Sequence, residues 1–151
     1  ARQQDPDFAG VHASEELDSL LPAADYVVIA APLTDSTRGL FDAQSFSRMK
    51  SSAWLINVGR GAIVDEADLL AALRSDAIGG AALDVFSSEP LPPDHPLWTQ
   101  PNVIVSPHMS GDFVGWLEAL AALFGDNFDR WRAGEPLLNE VDKRAGFVPT
   151  G

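Results

Sequence analysis

The sequence predicts an α/β protein built on a doubly wound parallel sheet, and two observations carry that prediction. Four short apolar runs, at 26–31, 54–58, 79–85 and 103–105, alternate with segments whose leucines and aromatics recur at helical spacing. The first run shows no alternation of polar and apolar residues, as expected of a strand covered on both faces in a parallel sheet. With 151 residues, 46% of them hydrophobic and 21% charged, the chain is long enough for one compact domain with a core.

Taken in order, residues 1–10 read as a polar loop rather than the opening of a domain, which suggests a fragment of a longer polypeptide. Ser14 is placed to cap a short helix with Glu15 and Glu16 in its first turn and Leu17, Leu20 and Leu21 on one face. The strand from Tyr26 ends at Pro32, and 32–38 is a polar loop at a strand's carboxyl end, where open α/β sheets bind ligands. Asp42 can cap a second helix that buries Phe46 and Met49.

The strand from Trp54 runs into Leu55-Ile56-Asn57-Val58-Gly59-Arg60-Gly61, an apolar run that stops at an arginine held between two glycines. Arginine offers a fixed fork of donors that fits a carboxylate or phosphate in bidentate fashion. The turn therefore reads as an anion clamp, or alternatively as a βα turn whose arginine points into solvent. Asp65 can cap the next helix, with Leu69, Leu70 and Leu73 as its apolar stripe and Arg74 in its last turn. The strand at 79–85 has small residues that let helices pack close, and Asp84 is its sole charge. Residues 86–102 carry five prolines in seventeen positions and read as a long surface loop. The strand 103–105 ends in Ser106-Pro107-His108.

From Asp112 onwards Phe113, Trp116, Leu117, Leu120, Leu123, Phe124 and Trp131 keep helical spacing over about five turns. Gly134 is placed to end this helix. Its tryptophans read as core packing rather than ligand contacts, and 134–151 is a tail with little periodicity.

Composition excludes several functions. Twenty-two acidic against ten basic side chains give a formal net charge of −12, a field that repels nucleic acid and anionic lipid. There is no cysteine, hence no disulfide, thiolate metal site or cysteine nucleophile. No apolar run approaches the roughly 18 residues of a membrane span, and the N-terminus lacks the pattern of a secretory signal. The expectation is a soluble, cytoplasmic protein. Asp65, Glu66 and Asp68 read as a helix N-terminus rather than a metal site, and no metal is expected. His12 and His95 lie in loops and read as solvent-facing rather than catalytic.

Parallel strands deliver their carboxyl ends to one edge, so Arg60, Asp84 and His108, with Glu89 in the following loop, can converge on one crevice. An arginine, a histidine and a carboxylate in a cleft suit protonation of a carbonyl beside an anionic group.

Three stretches now carry a resemblance: Asn57-Val58-Gly59-Arg60-Gly61, Leu83-Asp84-Val85-Phe86-Ser87-Ser88-Glu89-Pro90-Leu91 and Ser106-Pro107-His108-Met109-Ser110-Gly111. In this order and at these separations, with Pro96-Leu97-Trp98 and Pro101-Asn102-Val103 between them, the chain from about Leu17 to Asn139 resembles the D-isomer-specific 2-hydroxyacid dehydrogenases. The resemblance implies a Rossmann-like fold and hydride transfer between NAD or NADP and a small 2-oxo or 2-hydroxy acid. It implies that Arg60 binds the substrate carboxylate, that His108 is the general acid and base, and that Glu89 holds the imidazole and favours its charged form. Asp84 would orient the nicotinamide carboxamide. Pro32, Leu33 and Thr37, the turn of Val58, Gly59 and Arg60, and His108, Ser110 and Gly111 would line the cofactor.

The chain departs from the family pattern in lacking the glycine-rich loop Gly-x-Gly-x-x-Gly and the N-terminal substrate-domain segment. The expected organisation is thus 1–111 as the C-terminal portion of the dinucleotide-binding domain, 112–133 as a long interdomain helix, and 134–151 as a tail returning towards the substrate domain. Arg2 lies near the position that selects between NAD and NADP; it points to NADP, or is a polar loop residue without that role. The resemblance also implies a homodimer, and 151 residues alone are expected to be inactive. Two other readings stand beside the enzyme: a dinucleotide-sensing interaction protein like the C-terminal-binding corepressors, which share these motifs, and an inactive remnant of a dehydrogenase.

Overall fold

The computed structural model describes residues 10–144 and 146–148. Arg2 lies outside them. The chain divides into two compact units, the first ending at Pro107 and the second beginning at His108.

The first unit holds a four-stranded sheet of β1 (Tyr26–Ile29), β2 (Trp54–Asn57), β3 (Gly80–Leu83) and β4 (Val103–Val105), all parallel and in the order β1-β2-β3-β4. The parallel α/β architecture legible in the sequence is the one observed. Among the described residues of this unit are the helices α1 (Leu17–Leu20), α2 (Ala43–Arg48) and α3 (Glu66–Arg74). Leu21, Phe46, Met49, Leu69 and Leu73 from the helical segments join Ile29, Leu55, Ala81 and Leu83 from one face of the sheet in a single buried cluster.

The caps explain where the helices begin. The Asp42 carboxylate accepts the Ser45 N–H at 3.0 Å, and that of Asp65 accepts the Ala67 and Asp68 N–H groups, each at 3.0 Å. The Ser45 amide holds the exposed Asp42 carboxyl below the usual carboxylate range. Asp68 is the carboxylate that joins α2 to α3, accepting the Ala43 N–H at 2.9 Å. Ser14 does not act as predicted. It is the first residue of a 3-10 turn, Ser14–Glu16, and the end of that turn is closed instead by Glu16, whose carboxylate accepts the Ala13 N–H at 3.0 Å. A carboxylate three residues on reaches that amide more readily than a short serine side chain already inside the turn.

The expectation that the first strand is covered on both faces is overturned. Register aligns Tyr26 with Trp54 and Gly80, and Val28 with Ile56, Ala82 and Ile104, on one face of the sheet. On that face Tyr26 is 70% and Val28 59% exposed, whereas Ile29 on the opposite face is buried. An apolar run reports a strand's hydrophobicity, but coverage of its second face depends on what other segments lie there. The proline-rich loop is also less irregular than expected, since Pro96–Trp98 forms a 3-10 turn that buries Leu97.

In the second unit the long helix α4 spans Trp116–Ala133. It starts later than the spacing suggests, because Gly115 takes a left-handed conformation (φ 91°) and Asp112 and Phe113 lie in the preceding turn. Gly134, at φ 71°, ends it as predicted, with the Glu135 N–H donating to the Arg130 carbonyl at 2.9 Å. The tail is tied back to α4 by Asn127, which accepts the Leu138 N–H at 2.7 Å and donates to the Leu138 carbonyl at 3.2 Å. The prediction of core tryptophans fails here: no residue of α4 is buried, and Phe124 and Trp131 are 74% and 68% exposed. An amphipathic stripe becomes core only when a second surface meets it.

Candidate functional site at the carboxyl edge of the sheet

The turn after β2 is built by a buried asparagine. Asn57 accepts the Gly59 N–H at 3.0 Å and donates its Nδ2 to the Arg60 carbonyl at 3.1 Å, so one side chain satisfies both ends of the Gly-Arg segment. Arg60 itself is extended (φ −145°) and exposed, with Nη1 donating to the Gly59 carbonyl at 2.7 Å. Its other guanidinium donors make no hydrogen bond among the described residues. The chain then enters the 3-10 turn Gly61–Ile63, which the segment after β1 braces: Gly39 and Phe41 N–H groups donate to the Ala62 and Ile63 carbonyls.

Both glycines of this turn sit against neighbouring backbone. A Cβ on Gly59 would lie 2.9 Å from the Ala31 carbonyl oxygen, and one on Gly61 only 1.9 Å from the Phe86 carbonyl carbon. The absence of a side chain is what lets the loops after β1, β2 and β3 approach one another.

The loop at 32–37 is closed by threonines. Thr37 Oγ1 donates to the Pro32 carbonyl at 2.8 Å and accepts the Thr34 N–H at 2.8 Å. Leu33 is half-buried against the core cluster, while Pro32 is exposed. After β3, the buried Asp84 accepts a hydrogen bond at 2.5 Å from Ser106 Oγ, and its own N–H donates to the Asn57 carbonyl at 3.0 Å. The exposed Glu89 folds back to accept the Phe86 N–H at 2.9 Å.

Of the residues the sequence singles out, Pro32, Leu33, Thr37, Val58, Gly59, Arg60, Asp84 and Glu89 thus all follow strand ends at the carboxyl edge of the first unit. His108, Ser110 and Gly111 belong to the second unit. There His108 is exposed and has φ 54°, a left-handed conformation that costs a non-glycine residue about 1–3 kcal/mol and is concentrated at functional sites.

Two residues of the site carry roles that the sequence reading did not assign. Asn57 holds the arginine turn, and the signal available was that it is the one polar residue of β2. Ser106 holds Asp84, a pairing between adjacent strand ends that no local pattern marks. His95 is a correction. Its side chain is only 21% exposed, accepts the Leu97 N–H at 3.4 Å and faces Glu66 at 3.8 Å, because the proline-rich loop folds over the start of α3 rather than standing out in solvent. His12 stays half-exposed beside Glu16. Among the described residues no group of three or more histidine, cysteine or acidic side chains is arranged to hold a metal ion, and no helix is long and apolar enough to cross a membrane.

A parallel sheet whose polar loops, buried carboxylate and arginine gather at the carboxyl ends of the strands defines an open α/β ligand-binding domain. Comparison with known proteins gives the family. Residues 1–110 match the model of the D-isomer specific 2-hydroxyacid dehydrogenase NAD binding domain, and the chain belongs to that family. It is 55% identical over 94 residues to glyoxylate/hydroxypyruvate reductase B of Citrobacter koseri, an alignment covering 62% of this chain and 29% of that one.

Among solved structures, a D-isomer specific 2-hydroxyacid dehydrogenase of Xanthobacter autotrophicus in complex with NADPH and MES superposes with a TM-score of 0.85 at 41% identity, covering 97% of this chain and 60% of that one. The NADPH-dependent glyoxylate/hydroxypyruvate reductase of Sinorhizobium meliloti, in complex with NADP and sulfate, gives 0.81 at 38% identity, over 90% and 44% of the two chains. The chain spans less than half the length of the curated relatives it matches.

The residues present fit a dinucleotide cofactor: Asp84 is a buried carboxylate able to accept from an amide, and the side-chain-free turn at Gly59 suits close approach of a polar ligand.

Proposed function

We propose that this chain serves the NAD(P)-dependent interconversion of a small 2-oxo acid and its D-2-hydroxy acid, with glyoxylate and hydroxypyruvate as the first substrates to test. The observation that carries the reading is the Arg60 turn: an exposed guanidinium, fixed through Asn57 between two glycines at the carboxyl edge of the sheet, in a chain that belongs to this family. The substrates are those named in the relatives from Citrobacter koseri and Sinorhizobium meliloti.

In this reading Arg60 takes the substrate carboxylate with its remaining donors and draws charge towards the carbonyl oxygen. His108 protonates that oxygen in reduction and removes the proton in oxidation, and Glu89 is the carboxylate that orients the imidazole. Asp84, Pro32, Leu33, Thr37, Val58, Gly59, Ser110 and Gly111 hold the nicotinamide end of the cofactor. The cofactor, when bound, supplies or accepts the hydride.

The test follows nicotinamide absorbance with the protein expressed from its natural gene, NADPH or NADH, and glyoxylate or hydroxypyruvate. Saturable oxidation is expected. His108→Gln is expected to lower turnover at least about a hundredfold, the lower range of general acid catalysis, with cofactor affinity almost unchanged. A His108→Gln variant with parental turnover would overturn the assignment. Cofactor binding without turnover of any 2-oxo acid would favour the dinucleotide-sensing protein instead.

A further inference from the structure

We propose that Glu66, the first residue of α3, is a positioning residue for Glu89; this rests on the catalytic role given to Glu89 above. The side chain of Glu66 is only 17% exposed and lies across from the loop after β3. Its Oε1 accepts the Ser87 N–H at 2.6 Å, a contact across 21 positions of the chain. Its Oε2 faces His95 Nε2 at 3.8 Å. His95 is itself oriented, since Nδ1 accepts the Leu97 N–H at 3.4 Å.

The consequence lies one peptide away. The Phe86 N–H donates to Glu89 Oε1 at 2.9 Å, so the Glu89 carboxylate takes its orientation from the backbone immediately before Ser87. Two contacts hold that backbone from outside the turn. Gly61 packs against one side of the Phe86–Ser87 peptide, and Glu66 binds its continuation at the Ser87 amide. Glu66 therefore fixes the amide next to the one that aims Glu89, with His95 beside its second oxygen. Neither Glu66 nor His95 follows a strand end. Their effect passes through the loop.

The experiment compares Glu66→Ala, Glu66→Gln and Glu89→Gln in the protein expressed from its natural gene, reading steady-state kinetics with NADPH and hydroxypyruvate and hydrogen exchange at the Ser87 amide. Glu66→Ala is expected to lower kcat at least tenfold with the KM for NADPH within twofold of the parent, and to speed Ser87 exchange at least tenfold. Glu66→Gln keeps an oxygen that can accept the same N–H and is expected to recover kcat to within about threefold.

Unchanged kcat in Glu66→Ala, or a loss that Glu66→Gln does not recover, would overturn the proposal. If Glu66→Ala does not fold, the Ser87 exchange and kcat of Glu66→Gln decide: parental values support the proposal, and fast exchange with low kcat overturns it. Full activity in Glu89→Gln would instead overturn the catalytic reading of Glu89, and that failure is separable because fast Ser87 exchange in Glu66→Ala would still show the anchor.

Discussion

Replacing Gly61 by alanine tests the contact that joins the arginine turn to the Glu89 turn. The added Cβ would stand 1.9 Å from the Phe86 carbonyl carbon, 2.2 Å from its oxygen and 2.3 Å from the Ser87 nitrogen, whereas real Cβ contacts stay beyond 3.0 Å. All three obstructing atoms are backbone, so no side chain can rotate out of the way, and the two turns must part by roughly 1 Å in an interior that is already close-packed. Overpacking of this kind costs about 1–3 kcal/mol, and a backbone-on-backbone clash belongs at the upper end. For a chain of this size about 3 kcal/mol lowers Tm by roughly 10 °C. A displacement of about 1 Å between Arg60 and Glu89 can also cost about a hundredfold in rate.

Gly59→Ala provides the calibration. Its nearest obstruction is a single atom, the Ala31 oxygen, at 2.9 Å, with the next at 3.4 Å. A shift of a few tenths of an ångström relieves it, and because the atom is backbone the cost falls at the lower end of that range, about 1 kcal/mol. Thermal and urea unfolding of both variants, with kcat/KM for hydroxypyruvate, make the comparison. Parental stability in Gly61→Ala, or equal damage from Gly59→Ala, would refute the packing argument.

Arg60→Lys replaces a planar fork by a point charge, and the loss of one charge-assisted hydrogen bond, about 1.5–3 kcal/mol, should lower kcat/KM roughly ten- to a hundredfold in the same assay. Asp65→Ala removes the acceptor of two amides at the start of α3 and should cost about 1 kcal/mol by urea unfolding, with Asp65→Asn close to the parent. The Asp42 carboxyl is depressed in the folded state, so its contribution is present above the ordinary carboxylate range and is lost as pH falls through the folded value. Acid unfolding followed by circular dichroism should therefore show a smaller acid-induced loss of stability in Asp42→Asn than in the parent.

Residues such as Asp42, Asp65 and Gly134 were legible because capping and helix termination are decided within a few residues of the chain. The strands were legible as apolar runs, and their common direction followed from the helices between them. The ordered motifs around Arg60, Asp84, Glu89 and His108 gave the family from local sequence, and the match over 1–110 agrees.

Other features were beyond local pattern because they join residues far apart in the chain. Glu66 meets Ser87 across 21 positions, Ser106 meets Asp84 across 22, and Gly61 meets the Phe86–Ser87 peptide. Hydrophobicity says that Val28, Phe124 and Trp131 prefer to leave water, but burial is a property of a pair of surfaces, and these three stay exposed. The sequence by itself determined the order of strands and helices and the family to which the motifs belong. Only the folded chain decided which backbone each side chain rests on, since that depends on contacts closed across long loops.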